Sequence, residues 1–232
     1  MDIARGVASR LTSEGGGIPI WSADGRDVFY RSNRGGAYDV YRVSRDGGTD
    51  ELLLKTPNST FVEDVSRDGR LVVYIEGNPP DIWILPLADG KPFRWRETRF
   101  PEDEPQLSPD GRWLAYISSE SGRFEVYVQP FAGPGRRTRV SINGGGQPRW
   151  RADGNEILYL ALDGTMMSAE AHQSAEFEVG VVKPLFQTSI RTVAVEDQFV
   201  ISRDAQRFLV AIPDEGSEPL SVVVNWPTLI KR

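Results

Sequence analysis

The sequence predicts an all-β fold, a β-propeller of about five four-stranded antiparallel blades. Three observations predict it. A short phrase recurs as Ser22-Ala23-Asp24-Gly25-Arg26, Ser66-Arg67-Asp68-Gly69-Arg70 and Ser108-Pro109-Asp110-Gly111-Arg112. Looser copies stand at Arg151-Ala152-Asp153-Gly154-Asn155 and Ser202-Arg203-Asp204-Ala205-Gln206. The aspartates fall 44, 42, 43 and 51 residues apart, and a period of about 40–45 residues of strands and turns is the signature of propeller blades. Each copy is also followed by a branched and aromatic run, the composition of a packed strand.

The elements of one repeat follow in order. Asp-Gly suits a tight turn, because Gly takes positive φ at no steric cost and Asp tolerates it. The Ser two residues earlier can hydrogen-bond the turn backbone and hold it. The next strand contains Val28-Phe29-Tyr30, Leu71-Val72-Val73-Tyr74-Ile75, Trp113-Leu114-Ala115-Tyr116-Ile117, Ile157-Leu158-Tyr159-Leu160 and Phe208-Leu209-Val210-Ala211-Ile212. Tyr30, Tyr74, Tyr116 and Tyr159 hold one repeat position, with Val210 in the fifth copy. A repeated Tyr implies a repeated environment, read as packing between neighbouring blades with the hydroxyl needing a partner. A third strand shows an acid-aliphatic-aromatic pattern: Asp39-Val40-Tyr41, Asp81-Ile82-Trp83 and Glu125-Val126-Tyr127. Outer strands are expected at Glu51–Leu54, Pro92–Arg94 and Thr138–Val140, which makes four strands per blade.

One propeller domain over 1–232 is expected, with blades at approximately 17–57, 62–98, 104–142, 147–187 and 197–228. The last repeat has three strands, so the N-terminal strand 2–12 is expected to complete it and close the ring, which removes exposed sheet edges. The competing reading is a fragment of a larger propeller.

Composition limits the function classes. Lys and Arg total 27 against 33 Asp and Glu, a net charge of −6. That balance argues against nucleic acid or an anionic membrane surface as the main partner. There are no cysteines, so disulfides, thiolate catalysis and Cys-ligated zinc are excluded. No apolar run reaches the length of a membrane-spanning helix, and Met1–Gly6 lacks a signal-peptide pattern as written. The compartment stays open.

The segment Trp21–Arg26 through Arg31-Ser32-Asn33-Arg34-Gly35-Gly36 to Asp39-Val40-Tyr41 resembles the TolB-type propeller repeat, a bacterial WD-like repeat. Pro105–Tyr116 and Pro148-Arg149-Trp150 match it too. The resemblance covers essentially the whole chain and implies the fold, with a face and channel that receive partner proteins. The ending Phe208-Leu209-Val210 with Leu220–Trp226 is similar to propeller domains of bacterial receptor-like Ser/Thr kinases and related regulators. No kinase motif accompanies it here.

Chemistry is sparse. His172 is the only histidine, it has no G-x-S-x-G elbow nearby, and it reads as a loop or strand-end residue. No metal site, no cofactor and no catalytic residue is expected. Asp-Gly pairs read as turns rather than calcium loops. Two loops form a secondary candidate surface, Arg34-Gly35-Gly36 with Tyr38 and Ser121-Gly122-Arg123-Phe124; structural turns are the favoured reading. Trp21 and Trp150 are expected in the core.

One constellation carries a functional expectation. Glu63-Asp64, Glu102-Asp103-Glu104 and Glu196-Asp197 lead into first strands. In a propeller such segments converge on one mouth of the channel, where carboxylates attract cations and basic peptides. Glu63, Asp64, Asp103, Glu104, Glu196 and Asp197 are therefore the expected partner-binding residues, against the plainer reading of solvated loop charge. The expected function is a non-catalytic TolB-like scaffold or sensor that binds a protein, peptide or ligand, as a monomer unless part of a longer chain. The rival is an accessory propeller of a prolyl-oligopeptidase-type hydrolase.

Overall fold

The computed structural model of the chain describes residues 10–12, 14–190 and 198–211, and the backbone of 221–224. The described strands form five antiparallel sheets, each in chain order. The first holds β1 (Gly17–Trp21), β2 (Asp27–Gly35), β3 (Ala37–Ser44) and β4 (Glu51–Leu54). The second holds β5 (Thr60–Val65), β6 (Leu71–Glu76), β7 (Asp81–Pro86) and β8 (Phe93–Arg94). The third holds β9 (Glu102–Leu107), β10 (Trp113–Ser118), β11 (Glu125–Pro130) and β12 (Thr138–Arg139). The fourth holds β13 (Gly146–Trp150), β14 (Glu156–Leu160), β15 (Thr165–Gln173) and β16 (Phe177–Gln187). The fifth has three described strands, β17 (Phe199–Ile201), β18 (Arg207–Val210) and β19 (Ser221–Val224). This is the blade pattern that the repeats predict, and the chain is an all-β propeller of four-stranded blades. The expected closing strand at 2–12 lies almost wholly outside the described residues.

The chain divides into two compact units, one within 1–77 and 82–96, the other within 78–81 and 97–232. Each has its own apolar core. In the first unit, Phe29, Val40 and Leu54 pack against Val62, Val65, Val72, Tyr74 and Leu85. In the second, Trp113, Ala115, Ile117, Val126 and Val128 pack against Trp150, Ile157, Tyr159 and Phe177. A further cluster there joins Leu158, Leu160, Met166 and Leu185 to Phe199, Phe208 and Val210. Within each unit, successive sheets are thus sealed face to face by the residues that alternate along each strand.

The turn phrase builds one hydrogen-bonded device five times. In the first copy Ser22 Oγ donates to Asp24 Oδ1 at 2.7 Å, Asp24 Oδ1 accepts from Arg26 N at 3.1 Å, and Ser22 Oγ accepts from Asp27 N at 2.9 Å. Ser66–Asp68, Ser108–Asp110 and Ser202–Asp204 repeat it at 2.6, 2.6 and 2.5 Å. In the fourth copy Arg151 replaces the Ser, and its Nε and Nη2 donate to the two oxygens of Asp153, each at 2.8 Å. In the fifth, Ala205 stands where the others have Gly and still takes φ +55°. The departures from the phrase leave the turn intact.

These hydrogen bonds hold the turn carboxyls below the ordinary Asp value of 3.8. The Ser hydroxyl is the main cause for Asp24, Asp68 and Asp204. Burial raises the Asp110 value, but Ser108 and Arg112 outweigh it. Asp153 is lowered to about 2, chiefly by Arg151. Because the folded values lie below the unfolded one, this stabilisation is complete above about pH 3.8 and is lost as pH falls through the folded values. Asp153→Asn is therefore expected to flatten the fall of stability between about pH 4 and about pH 2, measured as urea midpoints across that range. An unchanged slope would contradict it.

The repeated Tyr is buried in all four copies, at 2% exposure or less. Its ring stacks on the third-strand aromatic: Tyr30 on Tyr41 at 5.8 Å, Tyr74 on Trp83 at 6.3 Å and Tyr116 on Tyr127 at 6.1 Å between centroids. An arginine covers that second ring each time, Arg34 over Tyr41, Arg94 over Trp83 and Arg137 over Tyr127. The hydroxyls differ. Tyr116 donates to Gln129 Oε1 at 3.2 Å, and Tyr159 accepts from Ile142 N at 3.4 Å. The Tyr74 hydroxyl is buried with no hydrogen-bond partner among the described residues, and burial raises its pKa. An unsatisfied buried hydroxyl costs about 1–3 kcal/mol, so Tyr74→Phe is expected to leave stability unchanged or raise it by about 1 kcal/mol. A clear loss by thermal denaturation would mean the hydroxyl has a partner.

Candidate functional site

In the first unit, Glu63 and Asp64 lie half-buried on β5, beside an irregularity in its pairing with β6 between Val62 and Asp64. Asp64 Oδ1 accepts from Val65 N at 2.8 Å. Nearby on the same unit, the Arg31 guanidinium lies 4.8 Å from the Tyr38 ring and 4.6 Å from the Phe61 ring. Arg34, offered by the sequence as part of a surface loop, ion-pairs with Asp50 at 2.6 Å and covers Tyr41 at 3.7 Å. Its polar and ring contacts are thus used inside the blade. Trp21 departs from expectation: it is 56% exposed, whereas Trp150 at the same repeat position is 9% exposed. Trp150 is covered because Gln106 O of β9 accepts from its Nε1 at 3.1 Å and Phe177 lies edge-on at 5.9 Å. The described residues that precede β1 form no sheet that could cover Trp21 in the same way.

In the second unit the acidic run of β9 divides. Glu102 is fully buried and Glu104 is 6% exposed, while Asp103 is half-buried. Asp103 Oδ1 accepts from Glu104 N at 2.8 Å. Glu104 Oε2 accepts from the backbone N–H of Gln147 at 2.5 Å. Gln147 in turn accepts at Oε1 from Gln198 N at 2.8 Å and donates from Nε2 to Gln198 Oε1 at 3.1 Å. Glu104, Gln147 and Gln198 each stand four residues before their turn phrase, so one repeat position is linked across three repeats of the second unit.

Local backbone geometry produces this relay. Ile18, Glu104 and Gln147 have φ of +49°, +52° and +53°. Each precedes a proline, Pro19, Pro105 or Pro148, which cannot donate to the ladder. The pairing of β1, β9 and β13 with its neighbour is irregular at these places. Such bulges re-aim side chains and often adjoin functional sites. The recurring proline three residues before the turn phrase is the sequence signal that marks them.

A second buried carboxylate anchors the same unit. Glu125 is fully buried. It accepts from Arg123 Nε and Gly144 N, both at 2.8 Å, and from Ser141 Oγ. Burial raises its pKa, but Ser141, Arg123 and Gly144 together hold it below the ordinary Glu range. The Arg123 of the second candidate loop is thus an ion-pair partner for the third-strand acid. Among the remaining expected residues, Glu196 and Asp197 lie outside the described residues. His172 is the penultimate residue of β15, exposed, with Nε2 3.9 Å from Glu170. Among the described residues no group of three or more His, Asp or Glu could hold a metal ion. No described helix is long and apolar enough to cross a membrane.

Comparison with known proteins bears on this geometry. No protein-family model matches the chain. Over 103 residues, 41% of the chain, it is 33% identical to Tricorn protease homolog 1 of Streptomyces coelicolor, of which the match covers 9%. Over 114 residues, 47% of the chain, it is 28% identical to the Tol-Pal system protein TolB of Francisella tularensis, of which the match covers 26%. The crystal structure of TolB from Acinetobacter baumannii superposes with a TM-score of 0.72 and 19% identity, over 91% of this chain and 52% of that one. The chain thus spans about half of that TolB and less of these two curated relatives. In the repeat of its residues and in the fold of its sheets the chain is similar to TolB-type β-propellers.

Proposed function

We propose that this chain is a non-catalytic propeller module in which the acidic first strand of each unit binds a positively charged protein or peptide segment. One observation carries the reading: in each unit a first strand bears adjacent half-buried carboxylates, Glu63 and Asp64 on β5 and Asp103 beside buried Glu104 on β9. Carboxylates set among low-dielectric walls project a stronger field than freely solvated ones. Glu104 has a positioning role, since its oxygen holds the Gln147 backbone. Glu63, Asp64 and Asp103 are the contact residues, joined in this reading by Glu196 and Asp197. The Francisella relative is a Tol-Pal system protein, which is in keeping with a binding role.

The test is calorimetry with a lysine-rich peptide against the whole chain and against Glu63→Lys/Asp64→Lys/Asp103→Lys. Saturable binding that weakens at least about ten-fold in the variant, with its fold intact by circular dichroism, is the expected result. Equal affinity for both proteins would sink the proposal. A second reading, a propeller that gates access to a hydrolase domain, draws on the 33% match to the tricorn protease homologue. It calls for an α/β hydrolase domain fused to or encoded beside this chain.

A further inference from the structure

The repeats themselves indicate what chemistry the second unit is built to receive. Tyr38 and Phe124 occupy one repeat position, each immediately before the third-strand acid, Asp39 or Glu125. The intervals agree, because Tyr30 pairs with Tyr41 and Tyr116 pairs with Tyr127 in the same register. In the first unit two groups lie against the Tyr38 ring. The Arg31 guanidinium lies 4.8 Å from its centroid, and the Phe61 ring lies 5.7 Å away.

Both covering residues are replaced at the matching places of the second unit. Arg31 pairs with Val40 and its counterpart Ile117 pairs with Val126, so a buried isoleucine stands where the guanidinium stood. Phe61 pairs with Ile75, one residue past Tyr74, and Gly146 pairs with Leu160, one residue past Tyr159. A glycine therefore stands where the second ring stood. A carboxylate adjoins it: Glu104 Oε2 lies 3.2 Å from where a Gly146 Cβ would be. Phe124 is left 37% exposed, and Ile142 and Leu162, on either side of Gly144 in sequence or contact, are 54% and 48% exposed. The segment between is held in place, since Gly144 N donates to Glu125 and Gln147 N to Glu104.

We propose that Phe124 is the docking point for an arginine side chain of the partner, which supplies from outside the guanidinium that Arg31 supplies internally to Tyr38. An exposed aromatic ring and the carboxylate beside Gly146 favour a planar cation, and the exposed Ile142 and Leu162 offer apolar surface to its stem. This rests on the acidic-strand reading and adds the residue class to it.

The experiment is calorimetry of the whole chain with a Gly-Ser peptide carrying arginines and with its lysine twin. The proteins are wild type, Phe124→Ala, Phe124→Tyr and Asp103→Lys, each checked by thermal denaturation. Wild type is expected to prefer the arginine peptide by about three- to ten-fold. Phe124→Ala should erase the preference and Phe124→Tyr should keep it. Equal affinity of wild type for the two peptides, or a preference that survives Phe124→Ala, overturns the inference. If Asp103→Lys abolishes binding while Phe124→Ala changes nothing, the acidic-strand reading stands and the arginine site falls. If Asp103→Lys changes nothing while Phe124→Ala erases the preference, the reverse holds. No saturable binding of either peptide overturns both.

Discussion

Replacing Glu125 by alanine is expected to destabilise the chain by about 3 kcal/mol. The carboxylate is fully buried and satisfies three donors, Arg123 Nε, Gly144 N and Ser141 Oγ. Ser141 Oγ also accepts from Val126 N at 2.8 Å, so the network reaches the backbone of β11. Removing the acid leaves buried polar groups without partners, each costing about 1–3 kcal/mol. Arg123 is half-exposed and can turn to water, which keeps the loss below that of a fully buried ion pair. Chemical denaturation with an unchanged denaturant slope is the measurement. A loss under about 1 kcal/mol would mean that water or a rearranged loop replaces the carboxylate.

Tyr159→Ala is expected to cost about 3–5 kcal/mol, the range for deleting a large buried ring. Tyr159 is fully buried in the cluster that seals the third sheet to the fourth. Gly145 packs so tightly on it that a Cβ there would lie 2.7 Å from the ring. Gly16 stands in the same relation to Tyr30 at 2.6 Å, so the small residue before the first strand is part of the same repeated fit. Tyr159→Phe should cost at most about 1 kcal/mol, because only the long hydrogen bond to Ile142 N is lost. Equal costs for the two substitutions would show that the hydroxyl, not the ring, holds the interface.

The parts legible in the sequence are those decided by neighbours in the chain. Ser22, Asp24 and Gly25 close a turn among themselves, so the phrase reads as a turn wherever it occurs. The outer strand Glu51–Leu54 and the last described strand Ser221–Val224 stand where their β-rich runs predict. Four buried tyrosines at one spacing likewise announce a shared environment.

Residues whose fate depends on a distant sheet were less legible. Nothing near Glu104 in sequence indicates that its carboxylate meets the Gln147 backbone, 43 residues on. That contact needs the positive φ at both positions and the register of two sheets. Glu102 looks as solvated as Asp103 in the sequence, yet it is buried at a repeat position held elsewhere by Gly16, Thr60 and Gly145. Trp21 and Trp150 share a repeat position and differ in burial, because Trp150 is covered by residues of other strands, Gln106 and Phe177, that its own repeat does not announce. The Arg151–Asp153 pair shows the converse: a residue that breaks the phrase rebuilds its turn with different chemistry.

The proposed binding of cationic segments at the acidic first strands is electrostatic in origin. The most direct measurement is the affinity of wild-type chain for a lysine-rich peptide at about 0.05 M and about 0.5 M salt. The predicted result is saturable binding that weakens about ten-fold or more at the higher salt, as screening of charge requires. Affinity that does not change with salt, or equal binding of a glutamate-rich peptide of the same length, would contradict the claim.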